Sequence, residues 1–128
     1  MKVARRKRVV WYPFPVHRAK WKCVLVPKVV DPCDPTKELR GLTLFERKET
    51  LVEYCGDYTL MCRTALHEMA HAFIGPEAFQ GEDEPRKDAM YHMQEHYVRK
   101  LEGPLYVALI AMGFVFPPIP DEASLLAA

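Results

Sequence analysis

The stretch Thr64-Ala65-Leu66-His67-Glu68-Met69-Ala70-His71-Ala72-Phe73 lies within the best-defined helix of the chain. Asp57 is a good N-cap residue ahead of it and Gly75-Pro76 is a strong stop behind it, so a helix is predicted from Tyr58 to Ile74. At 100° per residue, Cys62, Ala65, Leu66, Met69 and Phe73 share one broad apolar face. His67 and His71 fall on the opposite side, with Leu60 and Thr64.

Residues at i and i+4 of a helix lie one above the other, so two imidazoles placed this way can point nitrogens at one ion. For zinc each nitrogen would lie about 2.0–2.1 Å from the metal. Glu68 is turned roughly 100° around the helix from His67. It therefore sits beside such an ion instead of on it, where a carboxylate can take a proton from a metal-bound water. The pattern His-Glu-x-x-His thus predicts zinc bound by His67 and His71, with Glu68 as general base. The competing reading is a solvated histidine pair, and a chance match in a chain of this composition is on the order of one or two in a hundred.

A catalytic zinc site usually has three protein ligands and a water. The segment after the motif, Ala72 to Glu77, has no histidine, so the third ligand is sought on the next helix, predicted from about Pro85 or Arg86 to Leu101. Its apolar stripe is expected at Met90, Met93, Tyr97, Val98 and Leu101. Glu95 lies at the inner edge of that stripe and is the first choice; Glu102, His92 and His96 are the alternatives. Tyr91, His92, His96 and Arg99 are candidates to stabilise an oxyanion, and the sequence does not choose among them.

Upstream, Lys22 to Val30 reads as a strand and Asp31-Pro32-Cys33-Asp34-Pro35 as a loop. Leu42 to Phe45 and Thr50 to Tyr54 read as a hairpin. Downstream, Gly103-Pro104 is expected to break or kink the second helix, with Leu105 to Met112 a third one. Strands first and helices after imply an α+β fold, with a small antiparallel sheet followed by two or three packed helices. The expected organisation is a basic N-terminal arm over 1–19, a catalytic domain over 20–116 and a tail over 117–128.

With 128 residues the chain is long enough for one hydrophobic core. Its net charge of +1 is close to neutral, but Arg5-Arg6-Lys7-Arg8 crowds one end and Glu82-Asp83-Glu84 forms an acidic run. The basic cluster, with Trp11 and Tyr12 to stack on bases, could contact nucleic acid; a plain mobile arm is the favoured reading. Pro13 and Pro15 interrupt any signal-peptide core, and the apolar run Leu105 to Phe116 is too short to span a bilayer. Cys23, Cys33, Cys55 and Cys62 form no C-x-x-C pair and are read as reduced thiols, which fits a cytoplasmic protein.

The run Thr64 to Phe73 resembles the metal-binding helix of a minimal gluzincin, as in small phage- and bacteria-encoded zincin-like proteins and, more distantly, the ImmA/IrrE metallopeptidase group. Glu95-His96-Tyr97-Val98-Arg99-Lys100-Leu101 resembles their ligand-bearing helix, and the likeness covers about Gly41 to Gly113. The resemblance implies a zinc metallopeptidase with His67, His71 and Glu95 as ligands, Glu68 activating water, and a protein or peptide as substrate. An extended substrate is expected to pair with a sheet edge at Thr50 to Tyr54. The alternative is a non-catalytic zincin-like protein whose metal holds two helices together while the arm binds DNA or a protein.

Overall fold

The computed structural model describes residues 5–6, 8–75, 84–120 and 126–127. The chain runs through β1 (Arg5–Arg6), β2 (Val9–Val16), β3 (Ala19–Val26), β4 (Val29–Asp31), β5 (Asp34–Leu39), β6 (Gly41–Leu44), β7 (Glu49–Glu53), α1 (Tyr58–Ile74), α2 (Glu84–Ala111) and β8 (Leu126–Ala127). Four strands make the main sheet in the order β2-β3-β7-β6, and two two-stranded ribbons pair β4 with β5 and β1 with β8. The fold is α+β, as expected, but the main sheet is mixed: β3 and β7 run parallel. The β4–β5 ribbon and β6 occupy the connection that a parallel pairing requires.

Strand β3 is buried on both faces, which is why Cys23, Val24 and Leu25 are fully enclosed. Cys23 and Leu25 pack with Met61, Cys62 and Ala65 of α1. Val24 and Val26 point the other way, into a smaller cluster with Val29, Leu39, Leu42 and Leu51. The period of two along one strand thus feeds two cores. Full burial of each Val or Leu side chain here stabilises the fold by about 1.5–3 kcal/mol.

The expected arm over 1–19 is not free of the domain from Val9 onward. Val9–Val16 pairs antiparallel with β3 along its whole length, with a bulge between Val10 and Tyr12, and buries Trp11, Phe14 and Val16. Pro13 and Pro15 suggested an irregular arm, but β2 is an edge strand, where a missing N–H leaves no neighbouring strand unpaired. The basic run is also partly committed: Arg8 bonds the buried Glu49 at 2.5 Å, and Arg5–Arg6 pair with Leu126–Ala127. The expected strand Lys22 to Val30 is divided at Pro27-Lys28 into β3 and β4, and the expected loop 31–35 is a tight turn leading into β5. The tail 117–128 is tied to the core at its start, since Trp11 Nε1 donates to Pro117 O at 2.9 Å and Ile119 packs against the core.

Helix α1 matches its expected span. Asp57 Oδ1 accepts from Leu60 N at 3.1 Å, and Gly75, at φ 81°, donates its N–H back to His71 O at 3.0 Å. Phe73, expected in the core, is 45% exposed. Of the expected break or kink at Gly103-Pro104, the break is overturned together with the separate third helix: α2 is one helix with Pro104 inside it. The expected apolar stripe of α2 also faces the wrong way, because Val98 is buried while Met93, Tyr97 and Leu101 are exposed. The acidic loop with Gly81, Glu82 and Asp83 lies outside the described residues.

Candidate metal centre

Helix α1 lies between the sheet and α2, which buries residues on both of its sides. Ala65, Leu66 and Cys62 face the sheet, while Glu68 and His71 are enclosed as well. The face expected to oppose the core is therefore covered by a second element.

That covering brings three donor-bearing residues together. His67 Nε2 lies 3.0 Å from Glu95 Oε1, and His71 Nε2 lies 2.6 Å from Glu95 Oε2. The donor atoms of His67, His71 and Glu95 all fall within 4.8 Å of one another. Among the described residues this is the one cluster of histidine, cysteine and carboxylate side chains arranged to hold an ion. Glu95, the sequence's first choice, is in it. Glu102 lies instead 3.9 Å from Arg63, and His92 and His96 are exposed and outside the cluster.

Bonds of 2.0–2.1 Å and tetrahedral angles put neighbouring zinc ligands roughly 3.3 Å apart. The carboxylate of Glu95 would have to withdraw from each imidazole by less than an ångström to match. The donor set, two Nε2 atoms and a carboxylate oxygen, is the kind that leaves a fourth position open on zinc.

The partners around Glu95 and His71 set the protonation of both. Hydrogen bonds to His67 and His71 hold the Glu95 carboxyl far below the usual range, and Arg99 Nε adds a third at 2.9 Å. His71 Nδ1 faces Gln94 Oε1 while its Nε2 faces Glu95. Burial disfavours the imidazolium, but two acceptors and the nearby charge of Glu68 outweigh it, and the His71 pKa is raised. With Gln94 accepting the Nδ1 proton, the proton on Nε2 is the one a metal would displace. Tyr91 stacks on the His71 ring at 6.2 Å between centroids and 12° between planes.

Glu68 is held from the sheet side. Thr43 Oγ1, on the edge strand β6, lies 2.9 Å from Glu68 Oε1 and 3.0 Å from the Glu68 carbonyl. A β-carbon at Gly41, two residues earlier, would stand 2.7 Å from Thr64 Cγ2 and 2.8 Å from Glu68 Cγ, so only glycine fits there without a shift. Burial raises the Glu68 pKa, opposed by His67 and by the bond to Thr43. Gly41, Thr43 and Gln94 were missed by sequence reasoning. The first two act through a strand-to-helix contact with no local signature, whereas Gln94 could have been sought as the neighbour of a candidate ligand.

The edge nearest the motif is β6, not Thr50 to Tyr54, because β7 lies between β3 and β6. Two surface cavities, of about 540 and 440 Å³, lie elsewhere, and neither is lined by His67, Glu68, His71 or Glu95. No helix among the described residues is long and apolar enough to cross a membrane. Comparisons with protein-family models, with curated proteins and with solved structures returned no match.

Proposed function

We propose that the chain is a zinc-dependent hydrolase acting on peptide bonds, with His67, His71 and Glu95 as the zinc ligands and Glu68 as the general base. The observation that carries the reading is the convergence of the three donors with a buried carboxyl beside them. Zinc bound there supplies Lewis acidity toward a carbonyl and lowers the pKa of a bound water. His71 is oriented by Gln94, and Glu95 is steadied by Arg99. Glu68 takes up the proton of the attacking water and returns it to the leaving amine, a task suited to a carboxyl whose pKa is raised by burial. Thr43 keeps that carboxyl in one position. Of the four oxyanion candidates, Tyr91 and Arg99 adjoin the cluster; Arg99 is engaged by Glu95, which leaves Tyr91 for the role. An extended peptide would add to the open edge of β6. Four free thiols suit a reducing, cytoplasmic setting.

The second reading is a non-catalytic metal centre that holds α1 and α2 together, favoured by Glu95, whose carboxylate reaches both histidines of α1 from α2. Glu68→Gln separates the two. On a mixed peptide library, the zinc-loaded wild type should cleave and the variant should lose at least about a hundredfold in rate while keeping its zinc. Zinc-loaded wild type that cleaves nothing, or a variant as active as wild type, rejects the enzyme.

A further inference from the structure

From its solvent side, α2 presents a second apolar face. Met93, Tyr97, Leu101, Pro104, Ala108 and Ala111 follow one another at steps of 4, 4, 3, 4 and 3 residues. That average of 3.6 per step makes a straight stripe along the axis. All six are exposed, with Met93 at 59%, Tyr97 at 55% and Leu101 at 62%, and none of the six carries a charge. Elsewhere around the helix, Val98 is buried and Tyr106 and Leu109 pack on the core, so the stripe is not needed to hold α2 in place. The exposed His92, His96, Arg99 and Lys100 lie to one side of the stripe, while the stripe itself runs about five turns without a charge, where a solvated helix face is expected to be polar.

We infer that this stripe is the interface of a homodimer, in which α2 of one copy crosses α2 of a second copy antiparallel about a two-fold axis near residues 102 and 103. The order of side-chain sizes selects a second copy of the chain as the occupant. Large residues (Met93, Tyr97, Leu101) fill the first half of the stripe and small ones (Pro104, Ala108, Ala111) the second half. A two-fold antiparallel crossing sets Leu101 against the other copy's Pro104, Tyr97 against Ala108 and Met93 against Ala111, large against small at every step. An isologous interface requires that self-complementarity. The area is also adequate. At on the order of 100 Å² exposed per large side chain, the stripe and its flanks Leu105, Val107 and Met112 offer roughly 700 Å², close to the 800 Å² per partner of a stable interface. It exceeds the largest apolar patch of a typical monomer, about 300–600 Å².

Sedimentation velocity from roughly 1 to 200 µM, with reductant because Cys33 and Cys55 are exposed thiols, measures the state directly. The wild type should reach twice the chain mass. Leu101→Glu should weaken the dimer at least about tenfold while leaving the helical circular dichroism unchanged. If Leu101→Glu perturbs the fold, Ala108→Glu on the same stripe serves in its place. Tyr97→Lys should also dissociate the dimer, and adding Ala108→Glu to it should restore association, since each lysine then faces a glutamate of the other copy. A wild type that stays monomeric at the highest concentration overturns the inference. So does a dimer indifferent to both glutamate variants, or a double variant that remains dissociated.

Discussion

Gly41→Ala measures how tightly the edge strand is set against the motif helix. The added methyl would lie 2.7 Å from Thr64 Cγ2, 2.8 Å from Glu68 Cγ and 3.0 Å from Glu68 Oε2. Ordinary contact begins near 3.4 Å, so β6 and α1 must part by about half an ångström or more. Neither helix residue can yield easily, because Thr64 and Glu68 are both buried and Thr43 holds Glu68. Overpacking of this kind costs about 1–3 kcal/mol, and a less flexible unfolded chain returns about 0.4–1 kcal/mol. The net loss is about 1–2 kcal/mol, or roughly 4–8 °C in Tm for a domain of this size. Thermal denaturation of the metal-free protein reads it. Gly103→Ala is the control: its methyl meets only Arg63 Nη2 at 3.4 Å and sits within α2, so it should be neutral or stabilising. A Gly41→Ala protein as stable as wild type would refute the close contact between strand and motif.

Three further outcomes follow from the same geometry. Gln94→Leu removes the acceptor of His71 Nδ1, and zinc affinity measured by chelator competition should fall about 10–100-fold with the three ligands intact. Thr43→Val strips the hydroxyl from Glu68 and should lower unfolding free energy by about 1 kcal/mol in urea titrations, whereas Thr43→Ser should retain most of it. Of the four thiols, exposed Cys33 and Cys55 should react promptly with a disulfide reagent at pH 8. Cys23, whose thiol pKa burial pushes up to about 11, and buried Cys62 should react only on unfolding. Four fast thiols in the native protein would contradict the core.

What the sequence made legible is local. The cap at Asp57, the stop at Gly75 and the i, i+4 histidines are all written within one helix, and α1 begins and ends where they place it. The hairpin of β6 and β7 was equally local. Misreadings arose where tertiary context overrides a local signal. Pro13 and Pro15 break an interior strand but not an edge one, and Pro104 does not end a helix that is packed on the core through Tyr106 and Leu109. The stripe of Met93, Tyr97 and Leu101 was periodic and apolar, yet periodicity cannot say which of two apolar faces turns inward. In the sequence Glu95 falls at the edge of that stripe. It stands beside both histidines because Val98, one turn on, is the residue of that segment that packs inward.

Whether His67, His71 and Glu95 form one metal site is tested most directly by zinc titration of the metal-free protein against a competing chelator, with wild type, Glu95→Ala and Glu102→Ala compared side by side. One zinc per wild-type chain, an affinity at least about a hundredfold weaker in Glu95→Ala, and an unchanged affinity in Glu102→Ala are the expected results. No stoichiometric zinc in the wild type, or a Glu95→Ala chain that binds as tightly, would contradict the account.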